Sequence, residues 1–141
     1  MVSSRNRVLW LGVLLVLARI TVGAQSAQTG PAETSASAWL SLVDTQNYGA
    51  SWDQASGFFR GKISREQWSE AARGARTPFG ELQKRTLKSA TAATTLPGAP
   101  DGEYVVVQFN SAFQHKAAAI ETVTLTHDAD HAWRVVGYFI R

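Results

Sequence analysis

The hydrophobic period of this chain changes once, between residues 76 and 103, and that change limits the fold more than any other feature. Before it, apolar residues recur at three and four, the repeat of a helix with one buried face; after it, they alternate by two, the repeat of a half-buried strand. Helices gathered ahead of a run of strands with short turns predict an α+β architecture. The expectation is N-terminal helices packed on one face of a roughly four-stranded antiparallel meander.

The helical half carries readable punctuation. Ala36, Trp39, Leu40, Leu42 and Val43 form a broad apolar face, and Gly49 is the expected stop. Ser51 and Gln54 have capping-box spacing, and a short helix carrying Trp52, Ala55 and Phe59 is expected behind them, ending at Gly61. Ser64 and Gln67 form a second box, ahead of a stripe of Trp68, Ala71, Ala72 and Ala75. Thr77-Pro78 ends that helix.

In the second half, residues 84–95 make a first strand and 96–102 dense turn chemistry. Residues 103–113 are the strongest strand, with Val105, Val107, Phe109 and Phe113 on one side. Residues 119–127 put Val123 and Leu125 on one face and three threonines on the other, and 133–140 form the last strand. Simple alternation groups Trp133, Val135 and Phe139 on one side. It places Tyr138, Val136 and Ile140, with Tyr104 and Val106, on a partly apolar second sheet face, which could pair with a partner or a second copy.

Charge enters through the N-terminus. The 141 residues hold 14 Lys and Arg against 11 Asp and Glu, a formal +3. Arg5, Arg7 and Arg19 flank or interrupt an apolar run at 8–18, and Val22-x-Ala24 resembles a signal-peptidase site. Eleven apolar residues fall short of the ~20 that span a bilayer. The expected organisation is therefore a signal peptide at 1–24, a flexible tether at 25–34 around Gly30-Pro31, and one domain at 35–141. Export to the periplasm or beyond follows, with no stable membrane span after cleavage. Without its first 24 residues the chain is formally neutral, which removes the basic footprint a nucleic-acid binder needs. With no cysteine, disulfides, thiolate nucleophiles and lipid anchoring on cysteine are excluded. Aromatics at 10% and charged residues at only 18% argue for a packed core rather than disorder.

An ordered set of short motifs extends over the domain: Trp39-Leu40-x-Leu42-Val43-Asp44, Tyr48-Gly49-x-Ser51-Trp52, Trp68, Arg76-Thr77-Pro78-Phe79-Gly80, Arg85, Leu96-Pro97-Gly98-x-Pro100-Asp101-Gly102-Glu103-Tyr104, Phe109, Phe113, Glu121-Thr122-Val123 and Trp133-Arg134-Val135-x-Gly137-Tyr138. Over residues 36–141 this set resembles the bacterial family catalogued as domain of unknown function 4019. The resemblance implies an exported envelope protein and supplies no activity. The element order also resembles the cone-shaped α+β folds of the nuclear-transport-factor-2-like or cystatin-like sort, an analogy of fold alone that implies a cone-shaped outline. One departure is the last turn, Asp130-His131, where an Asp-Gly or Asn-Gly pair is expected.

Five residues stand out as candidate ligand-binding groups: Asp44, Tyr48, Trp52, Arg85 and Glu121. Glu121 shares the parity of Val123 and Leu125, so its carboxylate faces the core and must be paired or neutral. It is either a general base in a concave pocket or, more ordinarily, the ion-pair partner of Arg85 or Arg76, unless a bulge turns the side chain outward. Asp44 and Tyr48, four apart, would share a helix face and offer an acid and a phenol to a polar ligand. Trp39, Trp52, Trp68 and Trp133 could line an aromatic pocket, but each falls in phase with a core stripe. The segment His127-Asp128-Ala129-Asp130-His131 is rich in metal-ligand types yet lacks a closed ligand set, so neither metal nor cofactor is expected. No nucleophile elbow or phosphate loop is present, and no catalytic residue is assigned. A non-catalytic binding or interaction module, with an unidentified protein or small molecule as partner, is the leading expectation. The competing one is a small cone-fold enzyme using Glu121 or Asp44 for acid/base chemistry.

Overall fold

Helices do precede strands in the computed structural model, which describes residues 22–141, with side chains from residue 28. The order is α1 (Val22–Asp44), α2 (Tyr48–Asp53), α3 (Gly57–Lys62), α4 (Arg65–Arg76), a 3-10 turn (Thr77–Phe79), then β1 (Leu82–Ala93), β2 (Tyr104–Phe113), β3 (Lys116–His127) and β4 (Trp133–Ile140). The strands form one antiparallel sheet in the order β1-β2-β3-β4, a meander whose neighbours in space are neighbours in sequence. The core lies between α1 and one sheet face. Ala32, Ala36, Trp39, Leu40 and Val43 of α1 are buried against Val105, Val107, Phe109, Val123, Leu125 and Val135.

The expected signal segment lies outside the described residues except at 22–24, which open α1. The flexible tether is corrected: residues 25–34 are helical, and Thr29 and Ala32 are buried. Thr29, Ala32, Ala36 and Trp39 recur at three and four, so the core stripe of α1 begins earlier than the large apolar residues do. Small side chains hid it, and tertiary packing outweighs the helix-breaking preference of Gly30-Pro31.

The helix punctuation differs in two places. Gly49 does not stop α1; the chain turns earlier, at Gln46, which takes a positive φ of 62°. Ser51 is no cap but an interior residue of α2, while Ser56 caps α3 by accepting from the Phe59 N–H at 3.1 Å. The box of Ser64 and Gln67 is formed as expected at the start of α4. Within the α4 stripe Trp68 and Ala72 are buried, whereas Ala71 and Ala75 are exposed. After the 3-10 turn, Gly80 has φ 73°, and a Cβ there would meet Gln114 and His115 at 2.9 Å. Only glycine allows the β2–β3 hairpin to close on this turn, where the Gln114 N–H donates to Glu81 O and the His115 N–H to Phe79 O.

The last strand corrects the simple alternation. Between the pairs Thr124↔Gly137 and Leu125↔Val135 the register shifts by a residue, and Val136 is the extra one. The bulge leaves Val135 on the core face and turns Tyr138 to the same side, against Trp39 at 5.5 Å between ring centroids. Phe139 goes to the open face instead and is 61% exposed. Tyr104 is also withdrawn from that face: it is buried, and its hydroxyl donates to Pro100 O in the β1–β2 loop. The open face is thus less apolar than alternation predicts. Its rows carry Thr91, Val106 and Thr124, then Gln108, Thr122 and Phe139, then Thr86, Asn110 and Ile120.

Candidate functional site

Three of the five candidate residues converge. Strand parity turns Glu121 inward from β3. Arg85, opposite Ser111 in the β1–β2 register, reaches it from the same face. Asp44 is the last residue of α1 and lies above both. Arg85 donates through Nε and Nη2 to Glu121 Oε1 at 2.8 and 2.7 Å. Its Nη1 and Nη2 also donate to Asp44 Oδ2 and Oδ1 at 2.7 and 2.9 Å, the second pair in fork geometry. Arg76, at the end of α4, donates from Nη2 to Asp44 Oδ1 at 2.7 Å, and its Nη1 lies 3.6 Å from Glu121 Oε2. Ser111 Oγ donates to Glu121 Oε1 at 2.6 Å and the Tyr138 hydroxyl to Oε2 at 2.5 Å.

Two carboxylates and two guanidiniums make the cluster formally neutral. Glu121 is fully buried and Arg76 only 5% exposed. Burial alone would raise the Asp44 pKa, but hydrogen bonds from Arg85 and then Arg76 prevail and hold it below the ordinary 3.8. For Arg85 too the desolvation of burial is the largest influence and favours losing the proton. The bonds to Asp44 and the charge of Glu121 outweigh it, so the guanidinium is held more firmly protonated than usual. Burial, then the negative charge of Glu121, pushes the Tyr138 phenol well above its ordinary value, so it stays a donor. Arg76 lies over the Phe113 ring at 4.7 Å. Its Nε and Nη1 have no hydrogen-bond partner among the described residues.

Such a cluster can pin helices to sheet, but proton transfer to a ligand needs an approach. Glu121 lines none of the principal hollows. Its charged neighbours Asp44 and Arg76 line one of about 160 Å³, bounded also by Tyr48, Gly80 and Gln114, while Ser111 and Tyr138, which donate to Glu121, line others of about 480 and 280 Å³ without exposing the carboxylate. Ligand pockets usually run from about 300 Å³ upward.

Tyr48 and Trp52 stand apart from the cluster. Asp44 and Tyr48 do not share a helix, because α1 ends at Asp44 and α2 begins at Tyr48. Tyr48 is buried at the rim of the small hollow, with the Arg73 guanidinium 5.7 Å from its ring. Trp52 donates its indole N–H to Ile63 O at 2.8 Å, fixing the α3–α4 turn. The other indoles are packing groups as well. Trp39 donates to Ser51 O and Trp68 to Ser51 Oγ, both at 2.8 Å. The residues 127–131 are engaged with one another and with their neighbours. His127 Nδ1 bonds Glu103 at 2.8 Å, and Asp128 and Asp130 both accept from Arg134. His131 adopts φ 65° in the turn where glycine was expected. Among the described residues no three His, Cys, Asp or Glu side chains gather as a metal site.

Sequence reasoning missed Tyr138 and Ser111. Gly137, a glycine inside a strand, was the available sign of the bulge that turns Tyr138 inward.

Residues 35–138 match the family described as Protein of unknown function (DUF4019). The chain belongs to the DUF4019 family. The match begins within α1 and ends at Tyr138, so this DUF4019 domain includes every member of the buried cluster. No curated protein matches the chain. A solved structure from Catenulispora acidiphila is similar at 11% identity and a TM-score of 0.49, over 84% of this chain and 94% of that one. Among the described residues, no helix is long and apolar enough to cross a membrane.

Proposed function

We propose that this DUF4019 protein is a non-catalytic binding module of the bacterial envelope that uses the open face of its sheet. The observation that carries the reading is the sealing of Glu121: it is fully buried, both carboxylate oxygens are bonded inside the protein, and it lines none of the principal hollows among the described residues. An acid/base enzyme needs a reactive group that substrate can approach within hydrogen-bond reach. The best-placed acid here is instead spent on holding α1, α4 and the sheet together, which argues against the enzymatic alternative at Glu121 or Asp44. The helices cover one sheet face and leave the other free for a partner protein, a small molecule or a second copy. The envelope location rests on the basic, short apolar segment ahead of Ala24, and a mature N-terminus at Gln25 in exported protein would support it.

Two variants separate the readings in the host cell. Thr91→Glu with Phe139→Lys alters two exposed positions on the open face and keeps net charge. Tyr138→Phe removes one bond to Glu121. In a deletion background, the open-face pair is expected to fail to restore the phenotype while its thermal midpoint stays unchanged. Tyr138→Phe is expected to restore it wherever the protein remains folded. A folded but inactive Tyr138→Phe beside an active open-face pair would overturn the reading.

A further inference from the structure

The open sheet face is not uniform, and its end beside the β2–β3 hairpin forms a hollow of about 480 Å³. Two rows of the sheet meet there. Lys84 pairs with Ala112, and Thr86 with Asn110 and then Ile120, whose backbone exchanges hydrogen bonds with Arg141. Ala112, Ala117 and Ala118 supply a low apolar floor beside Ile120, while Lys84, Lys116 and Arg141 stand around it. Among the described residues, no acidic one lines the hollow. The ion pairs among the described residues engage none of these three cations, although they engage Arg65, Arg76, Arg85 and Arg134. With acids and bases equal in number over residues 25–141, three unpaired cations around one concavity form a local positive field over an apolar floor.

We infer that this hollow binds a small organic anion, a phosphate or carboxylate group on a short apolar body. The head group would sit among Lys84, Lys116 and Arg141, where charge-assisted hydrogen bonds are strongest. Thr86 and Asn110 offer further polar contacts at the wall. The apolar body would lie across Ala112, Ala118 and Ile120, whose small side chains create the depth. The volume falls within the range of small-molecule sites. This inference rests on the reading of the open face as the binding surface and names its ligand class.

Hexyl phosphate is the probe, added to the whole 15N-labelled domain and followed by amide chemical shifts. Saturable shifts are expected at Thr86, Asn110, Ala112, Ala118 and Ile120. Inorganic phosphate, which lacks the apolar body, should bind at least tenfold more weakly. Lys84→Glu with Lys116→Glu should weaken hexyl phosphate tenfold or more, and Lys84→Gln with Lys116→Gln serves if the reversal does not fold. Lys62→Glu with Arg73→Glu changes charge equally on α3 and α4, away from the hollow, and should bind as the parent does. Shifts elsewhere, equal affinity for inorganic phosphate, or equal loss in the two charge-reversal pairs would overturn the inference. The host-cell test of the open-face pair is independent of the probe: a failed titration with that pair still inactive removes only the ligand class.

Discussion

At the scale of single residues, Ser51 ties two buried indoles together in the helical layer. Its hydroxyl accepts from the Trp68 indole and donates to Tyr48 O at 2.6 Å, while its carbonyl accepts from the Trp39 indole. Ser51→Ala would leave the Trp68 N–H buried without a partner, a cost of about 1–3 kcal/mol. A urea titration followed by tryptophan fluorescence should show that loss. His127 carries a second expectation. Its bond to Glu103 is the main cause of a pKa above the ordinary 6.5. A raised folded value means its contribution is complete below pH 6.5 and is lost as pH rises through the folded pKa. An NMR titration should find His127 above 6.5 in the parent and lower in Glu103→Gln. Much at this scale could be read from the chain. Glu121 faces the core because alternation from Val123 is uninterrupted, and its pairing with Arg85 and Arg76 follows from the need to compensate a buried charge. Ser51 was misread because its spacing to Gln54 imitates a cap, and only tertiary contact shows that two indoles claim it.

Elements that alternate cleanly behaved as alternation predicts, and those that depend on a local irregularity did not. Strands β2 and β3 bury every second residue, from Val105 to Phe109 and from Ala119 to Leu125. In β4 a single added residue exchanges the faces of Tyr138 and Phe139, which parity counting cannot detect without a partner strand. In α1 the failure is different. Alanine, threonine and glycine give too weak an apolar signal to compete with a Gly-Pro pair, so a packed turn resembled a tether. The correction is testable at the same scale. A chain beginning at Ser35 loses the buried Thr29 and Ala32 and should be less stable than one beginning at Gln25, by roughly 1 kcal/mol or more. Equal urea midpoints would restore the tether.

Across the molecule, the Asp44–Arg85–Glu121 cluster links the first helix to the sheet, and Arg76 adds the end of α4. The folded Asp44 pKa lies below 3.8, so its stabilisation is complete above that pH and is lost as acid brings the solution down through the lowered value. Urea midpoints should therefore fall steeply below about pH 4. Asp44→Asn should start about 3 kcal/mol less stable at neutral pH, with two buried guanidiniums undercompensated, and should show a flatter acid limb. The cluster also imposes an order in time. Asp44 leaves the ribosome early, Arg85 and Glu121 later, and Tyr138 close to the end, while the Ser56 N–H finds its acceptor only in Val135. The four charges of the cluster balance one another without β4, but one hydrogen bond to Glu121 Oε2 and the acceptor of the Ser56 N–H both come from that last strand. The last strand therefore closes both the helical layer, at Ser56, and the buried cluster, at Glu121, so losing the eight residues of β4 would open the fold in two places at once.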